Sequence, residues 1–217
     1  SKNAPTSKVT AFKYKVPGKF TASSSYKVYY FGKNSSNNQV VIPSAQSQST
    51  PNNTEHFGVS GDCGIADATG TVGGKAFSFK LDHQAAYLVF QPYTASTALQ
   101  KNSYLTKIEV TSNNDITDTY TFDFTTNKLT GGTPWSSTNH KQIILTTKGS
   151  GTYVDGFPLT NSAADLTTNG AYMVIKPGTH KLRVRYWLYS TTDYLEGTIT
   201  KTLSAFNYAK NTYYDMT

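Results

Sequence analysis

An all-β fold is what this sequence predicts, from its composition, the period of its apolar runs and the turn clusters between them. The 217 residues include 33 Thr, 21 Ser and 15 Asn, with 16 Tyr, 11 Phe and 2 Trp. β-Branched and aromatic residues fit a pleated, half-buried surface. The strong helix formers Met (2), Glu (3) and Arg (2) are scarce. Apolar residues make up 37%, and the aromatics among them can support a core, which argues against a disordered chain. No apolar run approaches the roughly 18 residues of a membrane helix. Ten or so short strands separated by long polar loops suggest one or two Greek-key sandwiches.

The elements follow in chain order. Val9 to Lys15 alternates and ends at Pro17-Gly18. Tyr26 to Phe31 and Gln39 to Ile42 flank a polar loop and read as a hairpin. Pro43 stops the second of these, and Ser44 to Asn53 reads as a loop with little to bury. Glu55 to Gly74 holds six glycines and is expected to run over the surface. Ala76 to Leu81 alternates. Ala85 to Phe90 is continuously apolar and reads as a strand buried on both faces or central in its sheet. Leu105 to Thr111 alternates, with Leu105, Lys107, Glu109 and Thr111 on one side. Thr119 to Phe124, Lys141 to Thr147 and Ala171 to Ile175 read as strands. His180 to Leu188 alternates, Leu195 to Leu203 more weakly, and Asn211 to Met216 begins one more strand.

Charge is unevenly placed. Net charge is +7, yet residues 1–54 hold seven Lys and no acidic residue. Arg, the better phosphate reader, is absent there and the lysines are diffuse, so no nucleic-acid partner is expected. The single Cys63 excludes an intrachain disulfide and a multi-cysteine metal site. The absence of an initiating Met and of an apolar leader fits either a cytosolic chain or a trimmed exported one.

Catalytic signatures are lacking. Gly58-Val59-Ser60-Gly61 approaches a nucleophile elbow, but Asp62 stands where the last Gly should be. The four His carry no ligand spacing, and Asp115, Asp118 and Asp123 do not form a calcium loop. No enzyme, metal or cofactor is expected. Aromatic faces bind the apolar faces of sugars. Trp135, after Gly131-Gly132-Thr133-Pro134, is the candidate for stacking on a ligand. Trp187 lies on the strand face opposite Leu182 and Val184.

Several segments resemble one family. FSFKLDHQAAYLVF (77–90), the I-x-x-I-x-V-like strand and hairpin of 105–131, AYMVIKPGTHKLRVRYW (171–187) and TKTLSAFNYAKNTYYDM (200–216) resemble the fimbrillin-like proteins of Bacteroidia. YYFG…VVIPSAQSQ (29–48) resembles the family's hairpin ending in an Ile-Pro-x-x-Gln loop. The resemblance implies tandem transthyretin-like sandwiches, here residues 1–78 and 79–217, with one larger β-sandwich as the alternative. It implies a cell-surface fimbria or pilus subunit, exported from a lipoprotein precursor, whose partners are copies of itself or other pilus subunits. Host or bacterial surface glycans and proteins are further implied partners, and a glycan-binding adhesin is the alternative function. Assembly in that family is by strand addition. The strand-like ends carry the candidates: Val9, Phe12 and Tyr14 on one, Phe206, Tyr208, Tyr213, Tyr214 and Met216 on the other. Family processing follows an Arg, whereas the first Arg here is Arg183, so the chain is expected to be mature, cut after Lys, or unprocessed.

Overall fold

A computed structural model describes residues 9–33, 38–131 and 140–217. The chain is all-β. Its first part gives β1 (Ser25–Tyr30), β2 (Gln39–Ile42), β3 (Ala45–Ser47), β4 (Gly64–Gly70), β5 (Phe77–Ser78) and β6 (Asp82–His83). Next come β7 (Ala86–Phe90), β8 (Tyr93–Thr94), β9 (Ser103–Ser112), β10 (Asp118–Asp123), β11 (Lys128–Thr130) and β12 (Gln142–Thr146). The rest gives β13 (Phe157–Pro158), β14 (Thr160–Asn161), β15 (Ala171–Ile175) and β16 (Gly178–His180), then β17 (Leu182–Ser190), β18 (Leu195–Thr202), β19 (Phe206–Tyr208) and β20 (Thr212–Asp215). Two short helices, α1 (Thr97–Asn102) and α2 (Leu166–Asn169), start at Ser96 and Asp165, whose side chains accept backbone N–H groups of the first turn.

Two sheets face each other across the main core. The larger runs β18-β17-β9-β12-β3, with β13 also on β9; the smaller runs β15-β7-β20. Ile108, Val110, Ile143, Leu145, Leu182 and Val184 of the first pack against Leu88, Phe90, Met173 and Ile175 of the second. The far face of the smaller sheet is covered as well. Tyr87, Val89, Tyr172 and Val174 pack there against Phe57, from the 3-10 turn Phe57–Val59. Both β7 and β15 are therefore buried along their whole length, which for β7 is what its unbroken apolar sequence predicts.

Two further sheets, β1-β4-β5 with β6 on β4 and β11-β10-β2, meet through an aromatic cluster. Phe31 tilts against Phe122 at 5.4 Å and Tyr29 meets Phe124 edge-on at 4.9 Å.

One side of the sandwich is closed by side chains rather than by a strand. β3 pairs in parallel with β12 and points Gln46 and Gln48 at the free edge of β15. Gln46 Nε2 donates to the Val174 carbonyl at 2.8 Å, and its Oε1 accepts from Val174 N–H at 3.0 Å. Gln48 Oε1 accepts from Tyr172 N–H at 2.8 Å, while its Nε2 donates to the Gly170 carbonyl at 2.8 Å. Each amide thus fills the place of a peptide group on a neighbouring strand, and both glutamines are buried.

Several expectations are corrected. Val9 to Lys15 forms no strand: it makes ring contacts, Phe12 with Tyr14 at 4.7 Å and Tyr14 with Phe79, but has no ladder partner among the described residues. The segments 26–31 and 39–42 do not form a hairpin, since β1 pairs with β4 and β2 with β10. The glycine-rich 55–74 stretch is not a surface loop, because β4 lies within it and Ser60, Asp62 and Cys63 are buried. Ser44 to Asn53 buries its glutamines. Ala76 to Leu81 yields only the short β5. Leu105 lies inside with Ile108, because a bulge between Trp187 and Leu188 of β17 takes up one extra β9 residue, Thr106. The pairings β2–β10 and β3–β12 run across the boundary expected at residue 78, and Val40, Ile42 and Cys63 share the main core cluster.

Candidate functional site

The side of the sandwich opposite the glutamine ladder is open. β18 is the outer strand of the larger sheet, and every residue of it is exposed. Its pairing with β17 sets Ile199 opposite Tyr186 and Lys201 opposite Val184. Directly opposed residues share a sheet face, so Leu195, Ile199 and Lys201 lie on the core side. Leu195 and Ile199 are nevertheless 67% and 56% exposed. The larger sheet overhangs the smaller one, because the smaller sheet ends at β20. Among the described residues β20 pairs with β7 alone, in parallel.

A groove of about 350 Å³ runs along this seam, between Lys201 and Leu203 on one wall and Tyr214, Met216 and Thr217 on the other. Its floor is aromatic: Tyr208 and Tyr214 meet at 5.0 Å and Phe206 and Tyr214 at 5.6 Å, all edge-on. Tyr214 Oη accepts the Ala209 N–H at 2.6 Å, which fixes the turn between β19 and β20. Lys201 Nζ reaches the Thr217 carbonyl at 3.2 Å. The hydrogen bonds from Thr217 hold the Asp215 carboxyl below the usual range. Burial, with the Asp215 charge nearby, pushes the Tyr186 phenol up to about 12.

Of the residues expected to mediate strand exchange, Phe206, Tyr208, Tyr214 and Met216 meet at this groove. Tyr213 points the other way and stacks on Tyr87 at 4.8 Å. Val9, Phe12 and Tyr14 lie elsewhere; Tyr14 stacks on Phe79 at 6.2 Å and is 61% exposed. Trp135 is outside the described residues. Ile199 and Lys201 were not singled out from sequence, and the weak alternation of Leu195 to Leu203 was the only signal for them.

A second polar cluster sits at the other end of β7. The Asp62 carboxylate accepts from Tyr87 Oη at 2.5 Å and from His83 Nδ1 at 2.7 Å. Burial raises the Tyr87 phenol far above its ordinary value and pushes the adjacent Cys63 thiol up to about 12. Both groups stay protonated at neutral pH, so neither is a ready nucleophile. Lys210 Nζ bonds Asp82 at 2.7 Å and Gln84 at 3.1 Å, tying the β19–β20 turn to β6.

The histidines give the site a pH dependence. His180 lies beneath Tyr208, donates from Nε2 to the Lys176 carbonyl at 2.9 Å and accepts from Ser112 Oγ at 3.2 Å, the bonding of a neutral ring. Burial lowers the pKa of His180 and of His56. A depressed folded pKa means stability that is present above the unfolded value of about 6.5 and lost as pH falls through the folded value. His83 has the opposite sign: its bond to Asp62 raises its pKa, so its contribution is present at low pH and lost as pH rises through that value. The thermal midpoint is therefore expected to drop between pH 7 and pH 5. The double change His56→Gln and His180→Gln should flatten that drop; an equally steep profile in the variant would refute this assignment.

No family model matches the chain, and no curated protein matches it. Among solved structures it is similar to one described as a "putative cell adhesion protein" from Bacteroides ovatus, at 14% identity and a TM-score of 0.49. The match covers 88% of this chain and 60% of that one, so the chain spans 60% of that protein's length.

Proposed function

We propose that the chain is a structural, non-enzymatic subunit of a bacterial cell-surface fimbria, assembling by strand addition between neighbouring copies. The observation that carries this reading is the open seam. An edge strand presents a row of unpaired backbone groups, a template for another chain. β20 is such an edge, and beside it the core-side residues Leu195 and Ile199 of β18 lack a covering layer. A strand laid against β20 would extend the smaller sheet and cover both. The proposed donor is the Val9–Lys15 segment of a neighbour, which alternates like a strand and exposes Val9 and Tyr14. The C-terminal aromatics then belong to the acceptor groove, not to the donor. Export through a lipoprotein precursor accompanies this reading.

The test is negative-stain microscopy of three proteins: the full chain, a chain lacking residues 1–15, and the Ile199→Asp variant. Ile199 is exposed, so its replacement should leave the fold intact. Filaments are expected from the full chain and are expected to be absent from both variants. Monomers in all three samples, or filaments unchanged by Ile199→Asp, would count against the proposal.

A further inference from the structure

The outer face of the larger sheet, turned away from the groove, carries an ordered row of side chains. Residues 183, 185, 187 and 189 alternate onto that face of β17. They are Arg183, Arg185, Trp187 and Tyr189, and the two arginines are the only ones in the chain. Outward side chains on a strand recur roughly every 7 Å, so the row is about 20 Å long. Both of its aromatic rings carry a cation. Lys107 Nζ lies 4.0 Å from the Trp187 ring centre and Lys148 Nζ lies 5.7 Å from that of Tyr189. The Trp187 indole N–H is buried without a hydrogen-bond partner among the described residues, so the face offers its ring rather than its donor. Arg183 is exposed and makes no ion pair among the described residues, and Arg185 reaches Glu109 only at 3.9 Å. Beside this row β18 turns Thr198 and Thr200 outward, with Glu196 opposite Tyr189.

We infer that this face binds an extended, carboxylate-bearing polysaccharide. Flat aromatic faces suit the apolar faces of sugar rings, and the planar guanidinium fork matches a carboxylate bidentately. A carboxylate arriving beside Trp187 draws the Lys107 ammonium off the ring as its counter-ion, and the sugar takes the ring face so vacated. The same face distinguishes this ligand from a nucleic acid. Its sugar hydroxyls donate to Glu109 and Glu196 and bond the outward threonines, whereas a nucleic acid offers this face mainly phosphates, which lack such donors. The row lies on the opposite sheet face from Ile199, so the inference stands independently of filament assembly.

The experiment is affinity electrophoresis of the full chain through gels containing polygalacturonate, dextran sulfate or uncharged dextran, with duplex DNA as a competitor. Retardation by polygalacturonate alone is expected, weakened roughly tenfold in Arg183→Gln and in Trp187→Ala. Arg183 is exposed, so that variant remains informative if Trp187→Ala fails to fold. No retardation by polygalacturonate would overturn the inference, as would equal retardation by dextran. Preference for dextran sulfate, release by duplex DNA, or indifference to Arg183→Gln would reduce the interaction to net positive charge and overturn it equally.

Discussion

Replacing Gln46 with leucine is expected to destabilise the protein by about 2–6 kcal/mol, although leucine is apolar and of similar bulk. The glutamine amide satisfies both the N–H and the C=O of Val174, a residue with no exposed surface. Leucine would leave the two groups buried and unpaired, at about 1–3 kcal/mol each. Gln48→Leu should act alike through Tyr172 N–H and the Gly170 carbonyl, and the double variant should come close to a domain's whole stability of about 5–15 kcal/mol. Gln39→Leu, at an exposed position, supplies the control and should change stability by about 0.5 kcal/mol or less. Urea denaturation of the set decides the matter: equal midpoints for Gln46→Leu and Gln39→Leu would show that the ladder contributes nothing.

A comparable loss is expected from a single methyl group. Gly61 has φ +96°, and a Cβ there would lie 2.5 Å from Ile42 Cγ1 and 2.7 Å from the Val41 carbonyl oxygen. Left-handed backbone costs a non-glycine residue roughly 1–2 kcal/mol and overpacking roughly 1–3 more. Gly61→Ala should therefore lose about 2–5 kcal/mol. At Gly73, with φ +72° and nothing within 4 Å of the added Cβ, alanine should cost only the backbone part. Matching losses at the two sites in a denaturation series would refute the steric argument. The glycine that makes Gly58-Val59-Ser60-Gly61 look like a nucleophile elbow is thus explained by its close approach to β2. Ser60 beside it is buried.

These two cases show which parts of the fold were legible in the sequence. β7 and β15 could be read directly, because burial on both faces leaves an unbroken apolar run. β17 could be read because it is buried on one face and wet on the other. β3 could not, since what it buries is glutamine, and a polar residue scores as loop whether its partner is water or a neighbouring backbone. β4 was missed for a related reason: Gly64 to Gly70 carries small residues, and β1 supplies the aromatic bulk of that sheet. Val9 to Lys15 failed in the other direction. Its alternation is genuine, but a strand also needs a partner, and none pairs with it among the described residues. The expected hairpin failed because nearness in sequence does not decide pairing: β4 offers β1 a six-pair ladder, and β10 pairs with all of β2. Half of the groove was legible as the C-terminal aromatics. The other wall, Lys201 of β18 and Leu203 after it, was hidden because the core-side residues of β18 are exposed and look like ordinary surface.

The parallel seating of β20 beside β7 also dictates when the protein can finish folding. Contacts that close this sheet reach far along the chain; the Lys210–Asp82 bond spans 128 positions. Such contacts form late, since a long loop must be closed before any of them forms. During synthesis the apolar Ala86–Phe90 segment is made well before either β15 or β20 exists to flank it. Until β20 arrives, that segment has an unpaired edge. In that interval the segment is exposed to pairing with its counterpart in another molecule.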